Sequence, residues 1–545
     1  MAKQDFDPYY SHWSDIAARR VVATHPDKRP IVVAAGITPS GVVHVGNFRE
    51  VMTVDLVARA LRDQDIPVRF IYSWDDFDVF RKVPSDAPEQ AMLTENLRKS
   101  VADVPDPFAK DPAWNGGTDS YASHHVEAFE SSLAPLGIEP EFIRQSKAYR
   151  AGRYAEGIRK ALEQKDVIRA ALDEFRKEPL AKDWLPLAGF CGSCGRDDVS
   201  FSWDGDWEVG MDCRDCSATT KVDLREGGDV KLPWRIDWPM RWAFEGVCFE
   251  PGGKDHSSAG GSYDTAKTIV GPVYAGWAPE YVAYDFVRIK GAGGKISSSS
   301  GGAVTVSDCL RVYEPEMLRW IFASQRPNSE FQISFDLDVI KLYEDYDRAI
   351  ETAYTPDDGS KKDKKRQIVR RTIELSSVVP RKIEPGDTPT RMPSFRPLSM
   401  ILQIYDGDIE RTLSHYEATG EVKTDAEREG FRLRATRVWT WVEEFAPDDF
   451  RYRIRETPAE NVLEGEPREV LGRLVRILEA DPEITEADLI PHLKTLCDGT
   501  ALDAKGFYPF AYDLLIARPK GPKLTTLLTT MGTSRALPLL RAGLG

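Results

Sequence analysis

At 545 residues the chain is too long for one hydrophobic core, so two to four domains are expected. Its 72 basic and 87 acidic side chains leave a formal charge of −15, which favours solubility and excludes nucleic-acid binding through overall charge; a polyanionic partner has to meet a local basic patch. No run of eighteen apolar residues and no charged-then-apolar leader is present, which points to a cytoplasmic protein away from the membrane, and seven thinly spread cysteines argue against a disulfide framework.

The first elements in chain order form a βαβ unit. Residues 31–35, all apolar, read as a buried strand. Residues 46–62 place Val51, Val54, Ala58 and Leu61 on one face of a helix, and 68–72 read as a second strand. Such a crossover is right-handed, and ligands sit at the carboxyl ends of its strands. The segments "GITPSGVVHVGN" (36–47) and "SWDDFD" (73–78) fall at those ends. A cysteine-bearing insertion follows at about 181–225, then a Gly/Ser-rich loop, "KGAGGKISSSSGGAV", at 290–304. Beyond 340 the composition turns to Leu, Arg and Glu with helical spacing, as in Val470, Leu474, Ile477 and Leu478. The expected fold is therefore α/β: a parallel-sheet domain over 1–340 carrying the insertion, then a mostly α-helical domain over 341–545, with a hinge near 355–365.

Three constellations carry chemistry. The first is the strand-to-helix junction: a helix N-terminus presents unpaired N–H groups and a positive dipole end to a phosphate. There Gly41 and Gly46 allow close approach, while His44 and Asn47 supply neutral donors. The second is the glycine loop, whose Lys295, followed by four serines, can close over a triphosphate and stabilise charge that appears only in the transition state. The third is the pair Cys191-x2-Cys194 and Cys213-x2-Cys216, eighteen residues apart, which suits two knuckles around a structural Zn²⁺ with four thiolates and no open position.

The first two motifs, His44-Val45-Gly46-Asn47 and Lys295-Ile296-Ser297-Ser298-Ser299, resemble the HIGH and KMSKS signatures of class I aminoacyl-tRNA synthetases. Five segments in order, "GITPSGVVHVGNFRE", "SWDDFDVFRKVP", "LPWRIDWPMRW" (232–242), "GKDHSSAGGSYDT" (253–265) and "KISSSS", are similar to the class I lysyl-tRNA synthetases. The resemblance implies a Rossmann-type catalytic domain, ATP with Mg²⁺, an anticodon-binding helical domain, and tRNA bound before lysine is activated. It places Pro39, His44, Gly46, Asn47, Lys295, Ile296, Ser297, Ser298 and Ser299 around ATP, with His44, Asn47 and Lys295 stabilising its phosphates. It places Gly36, Thr38, Trp234, Asp255, His256 and Tyr281 around the amino acid. The expected partners are L-lysine, ATP and tRNA(Lys), handled by a monomer. One departure stands out: relatives usually carry a second lysine just after the position of Ser298, and here that neighbourhood is Ser299-Ser300-Gly301-Gly302, leaving Lys295 and Lys290 as the cations.

For tRNA contact, seven of the eleven residues from Lys361 to Arg371 are basic, among them Lys361, Lys362 and Lys364. Further on, Arg432, Arg434, Arg437, Trp439, Trp441, Arg451, Tyr452, Arg453 and Arg455 interleave cations with aromatics, the surface on which unstacked bases are recognised. Three other readings stay open at this level: a glutamyl-type synthetase, a small-molecule adenylyltransferase, and a non-catalytic tRNA-binding protein.

Overall fold

The computed structural model describes residues 12–85, 87–109, 119–254, 256–257, 260–290 and 303–545. Two compact units emerge, 1–333 with 349–387 and 334–348 with 388–545.

The first unit is built on four parallel strands. They are β1 (Ile31–Ile37), β2 (Val68–Trp74), β3 (Glu141–Arg144) and a later strand, Val247–Phe249, which lies on the other side of β1. The first five residues of β1 are buried, as a strand with both neighbours parallel requires. The strand order reverses at β1, so the crevice at its carboxyl end is where an open α/β sheet takes a ligand.

Helix α1 (Val45–Arg62) connects β1 to β2. The expectation of one apolar face is too narrow. Val51, Val54, Ala58 and Leu61 are buried, but so are Arg49, Thr53, Asp55 and Arg59 on other faces, because further elements cover this helix. Its buried charges are paired. Asp55 accepts from Arg59 at 2.9 Å and from Arg319 at 2.6 Å. Arg319, wholly buried on the helix Pro315–Ala323, also donates to the carbonyls of Leu136, Leu375 and Ser376.

The cysteine-bearing insertion is a three-stranded antiparallel meander, Val199–Trp203, Glu208–Cys213 and Thr219–Asp223. Val209 and Met211 on its middle strand turn inward and join the core of the first unit.

The helix Asp363–Ser376 belongs to the first unit, held by Arg371, which is 3% exposed and bonds Asp15 at 2.7 Å and Asp63 at 2.6 Å. The basic composition of that stretch is thus partly internal wiring. The second unit is helical throughout its 388–545 portion, with Val470, Leu474 and Leu478 buried on one face of the helix Gly465–Ala480 as their spacing predicts. Its core includes Trp441, fully buried, whose Nε1 donates to the Phe335 carbonyl at 2.9 Å. Among the described residues no helix is long and apolar enough to cross a membrane.

Candidate active site

The end of β1 is fixed by three contacts. The Gly36 N–H donates to Glu50 Oε1 at 2.9 Å, and a Cβ on Gly36 would lie 2.8 Å from the Ser73 carbonyl oxygen, so only glycine fits beside β2. The other Glu50 oxygen accepts from the Tyr284 hydroxyl at 2.7 Å. Thr38 follows immediately and donates to Asp78 Oδ2 at 2.8 Å. Asp78 and Thr38 open, with Trp234 and Lys231, onto a cavity of about 870 Å³ that reaches Phe201 of the insertion.

Beneath this cavity lies a buried charged network. Arg241 bonds Asp75 at 2.8 Å and Asp237 at 3.1 Å, and Arg144 bonds Asp76 at 2.7 Å. Burial pushes the Asp75 carboxyl up to about 6 despite Arg241, with Asp78 and Asp237 adding repulsion. Burial also lifts Glu50 to about 7, opposed by its bonds from Tyr284 and Gly36 and aided by Glu250 and Asp75. Asp75, Asp76 and Asp237 thus serve as partners of buried or half-buried arginines.

At the start of α1, His44 is the N-cap. Its Nδ1 accepts from the Gly46 N–H at 3.1 Å, and the His44 N–H donates to Asn47 Oδ1 at 3.2 Å, a reciprocal capping box. With Nδ1 accepting, the imidazole is neutral and carries its hydrogen on Nε2, which leaves an N–H donor beside the positive end of the helix. The cap explains Gly46 in a way the sequence did not: a Cβ there would sit 2.8 Å from the His44 ring. Gly46→Ala should therefore keep the fold, since only a side chain has to move, yet displace His44. With the phosphate-binding role that the resemblance implies for His44, single-turnover adenylate formation is expected to fall about a hundredfold, as for one lost donor to developing charge, with unchanged circular dichroism.

Next to His44 is a second cavity, about 370 Å³, walled by Val45, Gly46, Val287, Ile289 and Val304, and the Val45 N–H closes it by donating to the Val304 carbonyl at 2.8 Å. Arg49, one turn along the helix, anchors this wall through the carbonyls of Phe286, Arg326, Pro327 and Ser329.

The amino-acid candidates come together on an aromatic wall. Trp234 stacks on Trp238 at 5.1 Å, the exposed His256 ring lies 6.4 Å from Trp234, and Tyr281 stacks on Tyr263 at 4.0 Å with its hydroxyl 2.8 Å from Ser257 Oγ. Gly36 is engaged through its backbone, with no side chain facing a ligand. Asp255 and the loop residues Lys295, Ile296, Ser297, Ser298 and Ser299 lie outside the described residues.

The four cysteines of the insertion converge, their sulfurs within 4.8 Å of one another. Cys191 and Cys216 are 3.6 Å apart and Cys194 and Cys213 3.7 Å apart. Four sulfurs 2.3 Å from a tetrahedral metal would be about 3.8 Å apart, so the set has the right size for zinc. Each knuckle closes alike: the Gly195 N–H donates to the Cys191 carbonyl at 2.7 Å and the Ser217 N–H to the Cys213 carbonyl at 3.1 Å, both residues at positive φ.

A family model described as tRNA synthetases class I (K) matches residues 11–379. The chain belongs to this family. The synthetase is 41% identical over 96% of its length to a lysine–tRNA ligase of Borreliella burgdorferi, covering 98% of that protein, and 38% identical over 97% to one of Thermococcus kodakarensis, covering 99%. Among solved structures, a glutamate tRNA ligase from Elizabethkingia meningosepticum aligns over 95% of this chain and 99% of its own, with a TM-score of 0.43 and 14% identity.

Elsewhere in the synthetase the basic candidates divide. In the first unit Arg366 and Arg370 are tied to Asp358, Asp363 and Asp357, whereas Lys361, Lys362 and Lys364 are exposed. In the second unit Arg432 pairs with Glu410 at 2.6 Å, Arg437 donates to the Leu433 carbonyl at 3.1 Å, and Arg434 is internal, bonding Asp347 at 2.8 Å. Trp439 packs on Gly407, where a Cβ would lie 2.3 Å from the indole, and lines a cavity of about 560 Å³ with Arg451, Arg453, Arg455 and Arg518. Sequence reasoning missed Glu50, Lys231 and Arg518. Glu50 was the last letter of a recognised motif, and the other two carry no local signal.

Proposed function

We propose that this synthetase attaches L-lysine to its cognate tRNA through a lysyl-adenylate, releasing pyrophosphate and then AMP. The reading is carried by full-length identity to proteins named lysine–tRNA ligases, together with a cavity at the end of β1 whose wall offers hydrogen-bond acceptors and aromatic faces to a cation. The lysine carboxylate attacks the α-phosphorus of ATP in line, and the aminoacyl group then passes to the ribose of the terminal adenosine. Positioning and charge stabilisation do most of the work.

In this reading His44 Nε2–H, Asn47 and the start of α1 bind phosphate, and the apolar cavity beside Val45 and Val287 takes the adenine along with Pro39. Lys295 and the serines after it close on the triphosphate. Thr38, Trp234, Asp255, His256 and Tyr281 surround the amino acid, with Gly36 shaping the floor. Mg²⁺ arrives as the counter-ion of ATP; among the described residues the four cysteines are the cluster dense enough to hold an ion of their own. That cluster binds a structural zinc. Exposed Lys361, Lys362 and Lys364 meet the tRNA backbone, and Trp439 with Arg432, Arg437 and Arg453 meets unstacked bases.

The test is pyrophosphate exchange and tRNA charging with all twenty amino acids, total tRNA and Mg²⁺. Lysine alone should be attached. Charging of glutamate would show that a different amino acid fits the cavity, and no charging at all would favour a tRNA-binding protein without catalysis. For the metal, one zinc per chain is expected from elemental analysis of protein purified without chelator. Cys213→Ser should lower that content and speed proteolysis within 181–225, because structural zinc binding is coupled to local folding.

A further inference from the structure

Thr38 lies immediately after β1 and faces the large cavity beside Asp78, Lys231 and Trp234. Its hydroxyl donates to Asp78 Oδ2 at 2.8 Å. The other oxygen of Asp78 accepts from Lys231 Nζ at 2.6 Å, and the same ammonium donates to the Phe77 carbonyl at 2.9 Å. Burial alone would raise the Asp78 carboxyl, but the Lys231 charge and the bonds from Lys231 and Thr38 outweigh it and hold the group below its ordinary range. An ionised carboxylate only accepts, and a hydroxyl has one hydrogen and two lone pairs. The single hydrogen of Thr38 is therefore committed to Asp78, and lone pairs are what it shows to the cavity.

We propose that Asp78 and Lys231 are positioning residues that make Thr38 an obligate hydrogen-bond acceptor for an ammonium group of the substrate. Because Lys231 already neutralises Asp78, the pair orients the hydroxyl without exposing a bare carboxylate to any passing cation. Lysine carries two ammonium groups, and either supplies the donor. This inference rests on lysine being the substrate.

Asp78→Asn provides a directional test. Lys231 demands an oxygen, so the amide NH₂ of the asparagine faces Thr38 and donates to it, which turns the threonine hydrogen toward the cavity. Two analogues separate the two sources: 6-aminohexanoic acid lacks the α-ammonium, and 2-aminoheptanoic acid carries a methyl in place of the ε-ammonium. The readout is each inhibition constant in lysine-dependent pyrophosphate exchange, with tRNA present, relative to the KM for lysine. In Asp78→Asn the preference for lysine over one of the two analogues should fall about ten- to a hundredfold, the scale of a hydrogen bond to a charged group, while its preference over the other analogue is kept. Thr38→Val, which keeps the shape and removes the hydroxyl, should lose preference in the same arm and covers the case in which Asp78→Asn does not fold. If both variants weaken lysine and both analogues by one common factor, Asp78 merely supports the structure and the proposal is overturned. A wild-type enzyme that fails to exchange with lysine would instead overturn the substrate reading beneath it.

Discussion

Asp55→Ala should destabilise the first unit by about 3–5 kcal/mol, the usual consequence of removing one partner from a buried ion pair. Asp55 is 2% exposed and neutralises two guanidiniums, those of Arg59 and Arg319. Taking it away leaves Arg319, with no exposure at all, bonded only to carbonyls. Amide hydrogen exchange in the helices Val45–Arg62 and Pro315–Ala323 is the suitable measurement, because it reads this unit apart from the other. Protection should drop by a factor of a few hundred or more. A drop of less than tenfold would mean that the two arginines find other compensation and that Asp55 is dispensable. Joint replacement of all three charges, Asp55 by Leu and both Arg59 and Arg319 by Met, should recover much of the loss, since an apolar cluster of similar volume avoids the desolvation cost without leaving either guanidinium buried and unpaired.

Glu50→Gln is expected to stabilise the protein at pH 8 by about 2–3 kcal/mol and to leave it nearly unchanged near pH 5. The carboxyl is raised from 4.5 to about 7 in the folded chain, chiefly by burial. Between those values the folded state holds a proton that the unfolded state has released, so stability falls as pH rises across that window, at up to about 1.4 kcal/mol per pH unit. Glutamine stays neutral and still offers an oxygen to the Gly36 N–H, while the Tyr284 hydroxyl can turn to accept from its amide. Denaturation of both forms from pH 5.5 to 8 gives the difference directly. A difference that does not grow with pH would show that Glu50 ionises normally. The cost of an ionised Glu50 is borne next to the floor of the cavity, where local consistency commonly yields to function.

Much of the catalytic half was legible because its signals are local. An apolar run, glycines and a capping residue announce β1, the turn and α1 without help from distant sequence, and the cysteine spacing announces its own cluster. What was not legible depends on partners far away in the chain. The basic run at 361–371 reads as a patch for a polyanion, yet Arg371 bonds a carboxylate 356 residues earlier and forms part of a core. The apolar stripe on α1 reads as one buried face, and nothing local shows that Asp55 on another face meets an arginine 264 residues later. Likewise Trp441 and Arg434 look like neighbours of Trp439 in an aromatic, cationic surface. Burial separates them, since the first two are internal and only Trp439 opens onto a cavity. Lys231 was invisible for a related reason: a lone lysine before "LPWR" says nothing until Asp78 is placed beside it.

The way the chain leaves the first unit at 333, returns at 349 and departs again at 387 also bears on its birth at the ribosome. The first unit is not complete until the helix Asp363–Ser376 has emerged, since Arg371 comes from that helix. Phe335, meanwhile, must wait for an indole 106 residues further on. At 5–20 residues per second that interval is about 5–20 s, during which the side chains of 334–348 that will be interior are without their cover. Neither unit corresponds to a continuous stretch, so cutting the gene at a single point would strand part of one unit on the other. A nascent chain stalled between 349 and 387 is thus the form most in need of a chaperone.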